Sequence, residues 1–452
     1  MQRRDFLHHA GALAGTAALG QLGILASRAA AVDAATDSYK ELVCIFLVGG
    51  NDSNNMVVPI DASGYSAYAQ IRSSIALPQA QLLPLQEPAG VLRYGLHPSL
   101  PGLQGLWNSG SLAVVGNVGT LVQPLTKAQY LSAGTLKPAT LFSHIDQQHE
   151  WQASISDKSS NTGWGGRLSD QFNALNAGAG VPPMISTGGN NLFVTGAASQ
   201  ALVIPISGSF GLKGFSASAA DSARRSALVS LLSLDRGADL TAAAQDVMTN
   251  ALSSSATLNP ILTATTTTVS QAFSGLTATN FSEQMLAIAK VIEAHSALGA
   301  QRQVFLATLG SFDTHTNELN RQQALFLQLD AGLAAFQSAM AGIGAAANVT
   351  TFTLSDFSRT LQANTGGGTD HAWGSHHLVI GAAVHGGQLY GTMPELVLGG
   401  PDDVGAEGRW IPTTAVDQYA ATLATWFGAD AAALAAVLPN LAAFSPSTLS
   451  FV

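Results

Sequence analysis

The chain has 452 residues, of which 47% are hydrophobic and 10% charged, and it carries a formal net charge of −9. Its basic side chains form no cluster beyond Arg3-Arg4, so a nucleic-acid partner is not expected. Cys44 is the single cysteine, which excludes an intrachain disulfide and a cysteine-based zinc site.

The first 31 residues have the pattern of an export signal. Arg3-Arg4 is followed by Phe6-Leu7, by a mildly apolar stretch rich in alanine and glycine, and by Ala29-Ala30-Ala31. This order is typical of a twin-arginine signal peptide. We therefore predict a periplasmic or secreted protein whose mature part, residues 32–452, is a single domain. No second long apolar run follows, so no stable membrane span is expected after signal removal.

Apolar, β-branched runs alternate with helical patterns along the mature part. Residues 59–110 are predicted to be largely irregular, apart from a short helix near the end of that region. The alternation favours the α/β class with a mainly parallel sheet. Strands are predicted at 41–48, 111–118, 182–187, 303–309, 349–354 and 378–383, and helices at 101–108, 143–156, 162–177, 219–232, 241–252, 281–298, 320–342 and 419–427.

Three aspartates come shortly after predicted strands. These are Asp52, Asp313 and Asp356. Ligands bind beyond the carboxyl ends of the strands in an open parallel sheet, so the three carboxylates meet if their strands are neighbours. His315 stands two residues after Asp313 and faces the same side on an extended backbone. Carboxylates crowded on one edge repel each other unless a cation is present.

A glycine-rich loop after the strand at 349–354 carries further candidates. Asp370, His371, His376 and His377 lie within eight residues. Carboxylate and neutral imidazole ligands together suit zinc, manganese or iron. We therefore predict a divalent cation, with zinc or manganese favoured and the number of ions left open.

Each acidic candidate also has an ordinary structural interpretation. Asp52 and Asn51 can cap a loop, Asp313 can cap a helix, and Asp356 can form an internal ion pair with Arg359. The convergence of several such residues favours a real site over these separate alternatives.

Ser143 is a candidate nucleophile at the predicted start of a helix. Asp146 follows three residues later, as in a capping box, so a plain N-cap is the alternative. The free amide groups of a helix N-terminus favour a phosphate or an alkoxide. A nearby cation would lower the pKa of the serine. His144 and Asp146 are alternative contacts to the substrate or the metal.

Six motifs, from Gly49 to Gly374, together resemble one known family. In chain order they are GGND, LFSHIDQQ, GWGGRL, GSFDTH, SDFSRT and GGGTDHAWG. The chain is similar to the exported bacterial family called domain of unknown function 1501, which resembles the alkaline phosphatase-like superfamily of sulfatases, phosphodiesterases and phosphoglycerate mutases. The resemblance implies a three-layer α/β/α fold with a mainly parallel central sheet and one or two metal ions at the strand ends.

The resemblance also implies roles for individual residues. Ser143 matches the nucleophile, and His144 or a loop histidine would act as general acid. His376 is an alternative to His371 as the final ligand. The implied metal ligands are Asp52, Asp313, His315, Asp356 and His371. The residues expected to support them or to contact substrate are Asn51, Asp146, Arg359, Asp370, His376 and His377.

Two departures from the superfamily pattern limit the functional expectation. The usual aspartate–histidine pair is Asp356-Phe357 here, and the sulfatase motif is missing because Cys44 is followed by Ile45-Phe46. We therefore predict a metal-dependent hydrolase of phosphate or related esters, acting on a small-molecule or cell-envelope substrate, and not a sulfatase. The alternative is an exported binding or assembly protein on a degenerate scaffold, which the low charge fits equally well.

Overall fold

The computed structural model describes residues 39–155, 160–212, 218–234 and 239–452. The predicted signal peptide at 1–31 and the predicted start of the mature domain at residue 32 lie outside the described residues.

The strands form two sheets. In chain order the strands are β1 (Lys40–Leu47), β2 (Val57–Pro59), β3 (Leu83–Gln86), β4 (Leu92–Leu96), β5 (Leu112–Gly119), β6 (Met184–Ser186), β7 (Leu202–Val203), β8 (Arg302–Leu309), β9 (Val349–Ser355), β10 (Ser375–Ile380), β11 (Leu389–Gly391) and β12 (Thr414–Ala415).

Helices lie in most of the longer segments between these strands. The α-helices are α1 (Ser53–Met56), α2 (Ala62–Arg72), α3 (Pro101–Asn108), α4 (Lys127–Leu131), α5 (His144–Ala153), α6 (Trp164–Phe172), α7 (Ala219–Leu231), α8 (Asp239–Thr263), α9 (Thr268–Ala272), α10 (Asn280–Glu293), α11 (His295–Leu298), α12 (Glu318–Gly342), α13 (Val416–Phe427) and α14 (Ala431–Val437). Short 3₁₀ helices lie at Ser73–Ile75, Gln79–Gln81, Pro88–Gly90, Asn173–Asn176, Leu192–Val194 and Leu441–Ala443.

The large sheet has β1 near its centre. Its order is β11-β5-β10-β9-β1-β8-β6-β7, with β12 also paired to β5. β1 is parallel to both β8 and β9, while β10 is antiparallel to β9 and β5. The sheet is therefore mainly parallel, as predicted.

Side chains of β1 point alternately into two separate cores, because successive strand residues face opposite sides of a sheet. Val43 and Ile45 pack with α3, α10 and α12, whereas Leu42 and Cys44 pack with α6 and α13. Helices cover both faces, which explains why these strands read as continuous apolar runs. This arrangement confirms the predicted three-layer α/β/α architecture.

The prediction of a largely irregular region at 59–110 is wrong. The region contains α2 and most of a small antiparallel sheet with the order β2-β4-β3. Its strands are three to five residues long, and β3 contains Pro84 and pairs with a register shift. Strands this short and this exposed leave a weak alternating signal in the sequence.

His376 and His377 lie within a strand and not on a loop, which corrects the predicted strand at 378–383. β10 begins at Ser375 and is buried along its whole length. Burial lowers the pKa of His376 to about 4 and that of His377 to about 3, so both rings are neutral at pH 7. Neutral imidazoles can occupy core positions that a sequence pattern assigns to apolar residues.

Helix α12 is long and apolar enough to cross a membrane by composition alone. In its most apolar window, however, 61% of the residues are buried inside the protein. Its side chains join the core on one face of the large sheet. The composition is therefore that of a core helix.

A third buried histidine, His97, gives a test of the packing under acid conditions. Burial lowers the pKa of His97 from 6.5 to about 4, and its Nδ1 accepts the backbone N–H of Ser99 at 3.0 Å. Between these pH values the unfolded chain binds one more proton than the folded chain at this position. Stability therefore falls as the pH falls through this window.

We expect His97→Asn to flatten the acid dependence of the free energy of unfolding. The asparagine oxygen can accept the Ser99 N–H, yet the amide takes up no proton. The parent should lose up to about 3 kcal/mol more than the variant between pH 6.5 and 4. Urea unfolding at several pH values measures this difference. His385→Asn, at an exposed ring, should behave like the parent, and equal slopes for His97→Asn and the parent would contradict the assignment.

Candidate metal centre

The site forms where three parallel strands end side by side. β9, β1 and β8 are neighbours in that order, which confirms that their carboxyl ends share one edge. Asp356 directly follows β9, and Asp313 follows β8 by four residues. The loop that joins β9 to β10 brings His371 to the same edge, where its Nε2 lies 3.4 Å from Asp313 Oδ1.

Gly49 allows the chain to turn tightly over this edge. It follows β1 with a φ of +113°, and its N–H donates to Asp356 Oδ1 at 3.0 Å. A Cβ at this position would lie 2.5 Å from the backbone nitrogen of Asp313. The glycine therefore lets the segments after β1, β8 and β9 meet closely.

Three histidines direct their Nε2 atoms at one carboxylate oxygen. Asp313 Oδ1 lies 3.0 Å from His315 Nε2, 3.4 Å from His371 Nε2 and 3.5 Å from His144 Nε2. Ligand atoms of His144, Asp313 and His371 all lie within 4.8 Å of one another. The Asp313 side chain is 45% exposed, so the cluster is open to solvent.

The opposite nitrogen of each ring is held by an acceptor. His144 Nδ1 lies 2.7 Å from Asp356 Oδ2, and His315 Nδ1 lies 2.9 Å from Asp370 Oδ1. His371 Nδ1 lies 2.7 Å from the carbonyl oxygen of Phe142. An imidazole that donates its Nδ1–H to a carboxylate or carbonyl presents a lone pair on Nε2, as histidine ligands to metals do.

These lone pairs repel each other without a positive charge between them. His315 Nε2 and His371 Nε2 are 3.0 Å apart, and the buried Nε2 of His144 has no hydrogen-bond partner within the described part of the chain. Tetrahedral zinc ligands about 2.0–2.1 Å from the ion lie about 3.3 Å from each other. The spacings around Asp313 Oδ1 are close to that edge length, and the ligand atoms of His144, Asp313 and His371 all lie near enough to one another for a single divalent cation, with His315 beside them.

Arg359 fixes the carboxylate of Asp313. Its buried guanidinium donates to Asp313 Oδ1 at 2.9 Å and to the carbonyl oxygen of Thr369 at 2.7 Å. Burial raises the pKa of Asp313, but Arg359 and the neighbouring histidines outweigh it and lower the pKa overall. Asp313 is thus held as an anion, and an oxygen with two lone pairs can serve both the guanidinium and a cation.

Two of the ring pKa values shift in opposite directions. The hydrogen bond to Asp356 raises the pKa of His144, whereas desolvation lowers that of His371. His144 is therefore the ring of this pair that more readily carries a proton when the cluster holds no cation.

Several of the residues predicted for the site meet here, in partly different roles. Asp313, His315 and His371 contribute candidate ligand atoms. His144, predicted as a catalytic residue, supplies a further ligand atom. The carboxylates of Asp356 and Asp370 instead hold rings, and Arg359 holds Asp313.

Asp52 lies elsewhere. Its carboxylate caps α1 through the N–H of Asn54 at 3.1 Å and forms a fully buried ion pair with Arg72. The chain has already passed Gly49 and turned into α1, which carries the Asp52 side chain to a different set of partners. Asn51 donates its N–H to Ser355 Oγ at 2.9 Å.

Other candidates are also placed away from the four ligand atoms. His376 Nδ1 accepts the N–H of Asn117, and His377 packs between the rings of Trp151 and Tyr419. Asp146 lies in the first turn of α5.

Ser143 is the N-cap residue of α5, but its side chain makes no capping hydrogen bond. The hydroxyl is thus available for another partner. Phe142, just before it, has a φ of +74°, which is uncommon for a residue with a side chain and is found at functional sites. That conformation places the Phe142 carbonyl on His371 while the next residues start the helix that carries His144.

Sequence reasoning missed two contributors. Gln148 donates to Asp356 Oδ2 at 2.8 Å and stands four residues after His144, on the same face of α5. That spacing within LFSHIDQQ could have identified it. The role of the Phe142 carbonyl depends on backbone conformation, for which the sequence carries no signal.

The family of the chain follows from a comparison with protein-family models. The model described as "Protein of unknown function (DUF1501)" matches residues 39–404. The chain belongs to this family, which confirms the one indicated by its motifs. No curated protein is similar enough in sequence to count as a match.

Solved structures resemble the chain only weakly. A complex of Ps i-CgsB with k-i-k-neocarrahexaose is 10% identical, with 87% of this chain and 73% of that chain covered and a TM-score of 0.33. The zinc complex of the C-terminal periplasmic domain of EcEptC from Escherichia coli is 11% identical, with 77% and 74% covered and a TM-score of 0.31. PsFucS1 sulfatase from Pseudoalteromonas sp. is 10% identical, with 89% and 75% covered and a TM-score of 0.33. Likenesses this weak say nothing about the chemistry of this chain.

We expect Gly49→Ala to destabilise the protein by about 2–5 kcal/mol. A positive φ costs a residue with a side chain about 1–2 kcal/mol, and the overlap with the Asp313 backbone adds about 1–3 kcal/mol. Gly178→Ala is the matched control, because Gly178 has a φ of +88° but open space around its Cβ position. It should cost about 1–2 kcal/mol. Equal losses for the two variants in urea unfolding would show that the close approach at Gly49 does not matter.

Proposed function

We propose that the protein is a metal-dependent hydrolase of phosphate or related esters. The observation that carries the proposal is the convergence of three imidazole Nε2 atoms on Asp313, with every Nδ1 atom held by an acceptor. Zinc or manganese suits this mixture of imidazole and carboxylate ligands. The cluster is open to solvent, which leaves room for a substrate.

The N-terminus of α5 supports an anionic ester beside the cluster. The Ser143 side chain makes no capping hydrogen bond, and α5 spans ten residues with its positive end at His144. A bound divalent cation would polarise the ester oxygen and lower the pKa of a nearby hydroxyl or water. Ser143 Oγ is the candidate nucleophile, and the first turn of α5 would orient the ester oxygens.

Proton transfer has a candidate group near this position. Asp370 lies 2.9 Å from His315 Nδ1, and the Asp370 side chain is 45% exposed. Desolvation raises the pKa of Asp370, but Asn364 and His315 outweigh it and lower the pKa overall. His315 thus has two candidate roles, as a fourth ligand or, paired with the anionic Asp370, as the proton donor to the leaving group.

The proposal includes export and a substrate outside the cytoplasm. The twin-arginine pattern at residues 1–31 supports a periplasmic or secreted location, and a small-molecule or cell-envelope ester is the corresponding substrate. The formal net charge of −9 gives no support to a nucleic-acid substrate.

We expect zinc- or manganese-loaded protein to hydrolyse 4-nitrophenyl phosphate or bis(4-nitrophenyl) phosphate, and we expect a chelator to abolish the reaction. Ser143→Ala should keep the metal and lower kcat by about 10³-fold or more, because it removes the nucleophile. Asp313→Ala should lose both the metal and the activity. Release of 4-nitrophenolate and metal analysis of each purified variant measure these effects.

His385→Ala is the matched control, since it removes an exposed imidazole that contacts the carbonyl of Ser450 and not the cluster. It should keep the metal and the activity. Absence of both bound metal and hydrolysis in the parent would contradict the proposal. Bound metal without hydrolysis of either ester would instead favour a binding protein on the same scaffold.

A further inference from the structure

A separate cavity of about 340 Å³ lies beside the small sheet. It is lined by α2, by β2 and β4, by the segment at 393–397, and by Asn54, Leu361 and His376. None of the four candidate metal ligands lines it. Its volume is within the range of small-molecule sites, which begins at about 300 Å³.

Apolar side chains form about half of the cavity wall. They come from the small sheet, from the loop after β9 and from the 393–397 segment, and they include Val57, Tyr94, Leu361, Met393, Leu396 and Val397. Such a wall favours a ligand with an apolar or aromatic body.

His376 supplies one buried polar group to this cavity. The residue is 3% exposed, and its Nδ1 accepts the N–H of Asn117 at 3.0 Å. The neutral ring therefore carries its proton on Nε2. No hydrogen bond to this Nε2 is found among the described residues, so a donor on a buried residue that lines the cavity is left for a ligand acceptor.

Two carboxylates stand at the exposed side of the cavity, and its lining includes no lysine or arginine among the residues that the structure describes. Asp61 caps α2 through Gly64 N–H at 3.0 Å and accepts the Ser63 hydroxyl at 2.7 Å, which keeps it anionic. Glu395 is exposed on the facing segment. This charge disfavours phosphate or carboxylate groups and favours a cation.

We propose that this cavity binds a small organic cation with an aromatic body. The ammonium group lies near Asp61 and Glu395, the ring packs against the apolar wall, and a hydroxyl oxygen accepts the Nε2–H of His376. The site is independent of the proposed hydrolase centre, because it shares no side chain with the four candidate ligands.

Tyramine is the probe, since it joins a phenol to an ammonium group, and 4-hydroxyphenylacetate is its anionic counterpart of similar shape. In isothermal titration calorimetry we expect tyramine to bind the full chain with a Kd below about 1 mM, a value within reach of a ligand of this size. The anion should bind at least about tenfold more weakly, as expected from the two carboxylates.

Variants of both ends of the cavity test the assignment. Glu395→Gln, on an exposed segment, should weaken tyramine binding, while Glu283→Gln, which removes a charge outside the cavity, should not. His376→Leu should also weaken binding, and thermal unfolding checks that it folds. His371→Ala should leave tyramine binding unchanged, which separates this site from the metal centre.

The proposal is overturned if tyramine does not bind at 5 mM, roughly five times the expected upper limit for Kd. It is also overturned if the two probes bind equally, or if Glu395→Gln binds tyramine as the parent does. The test with Glu395→Gln does not depend on whether His376→Leu folds.

Discussion

The fixed orientation of three imidazole rings is the constraint on which the site depends. His144, His315 and His371 each have Nδ1 against an acceptor, so their Nε2 lone pairs face Asp313. At 3.0 Å, the two lone pairs of His315 and His371 repel unless a proton or a cation lies between them. The surrounding carboxylates and carbonyl thus hold an arrangement whose cost is offset only when a positive charge is bound.

The large sheet supplies this arrangement by placing three strand ends together. Asp356 directly follows β9, so the strand itself places this carboxylate at the edge of the sheet. Its Oδ2 orients His144, which belongs to helix α5 in an earlier part of the chain. Gly49 lets the backbone around Asp313 approach, and Arg359 keeps that carboxylate ionised. The rigid sheet therefore fixes the positions, while the loops after its strands contribute the ligand atoms.

Much of the fold could be predicted because buried parallel strands give long apolar runs, and the order of Asp313, His315 and Asp356 along the chain marked the correct edge. The roles were harder. A carboxylate that binds a metal and one that instead holds a histidine ring differ in position by only a few ångströms, and strand patterns in a sequence do not resolve such a difference.

Asp52 follows β1 and is therefore predicted at the centre of the site. The turn at Gly49 and the buried ion pair with Arg72 direct its side chain to other partners. His376 and His377 were expected on a loop because histidine is usually polar, yet burial keeps both neutral inside β10.

The most direct test is X-ray absorption at the zinc edge of protein loaded with one equivalent of zinc. The proposed centre predicts nitrogen and oxygen neighbours at about 2.0–2.1 Å and the outer-shell scattering of imidazole rings, two from His144 and His371 and a third if His315 also binds. Loss of one ring in His144→Ala, with the shell otherwise kept, would identify the helix histidine as a ligand. Zinc that binds with no imidazole scattering, or no zinc binding at all, would contradict the metal centre.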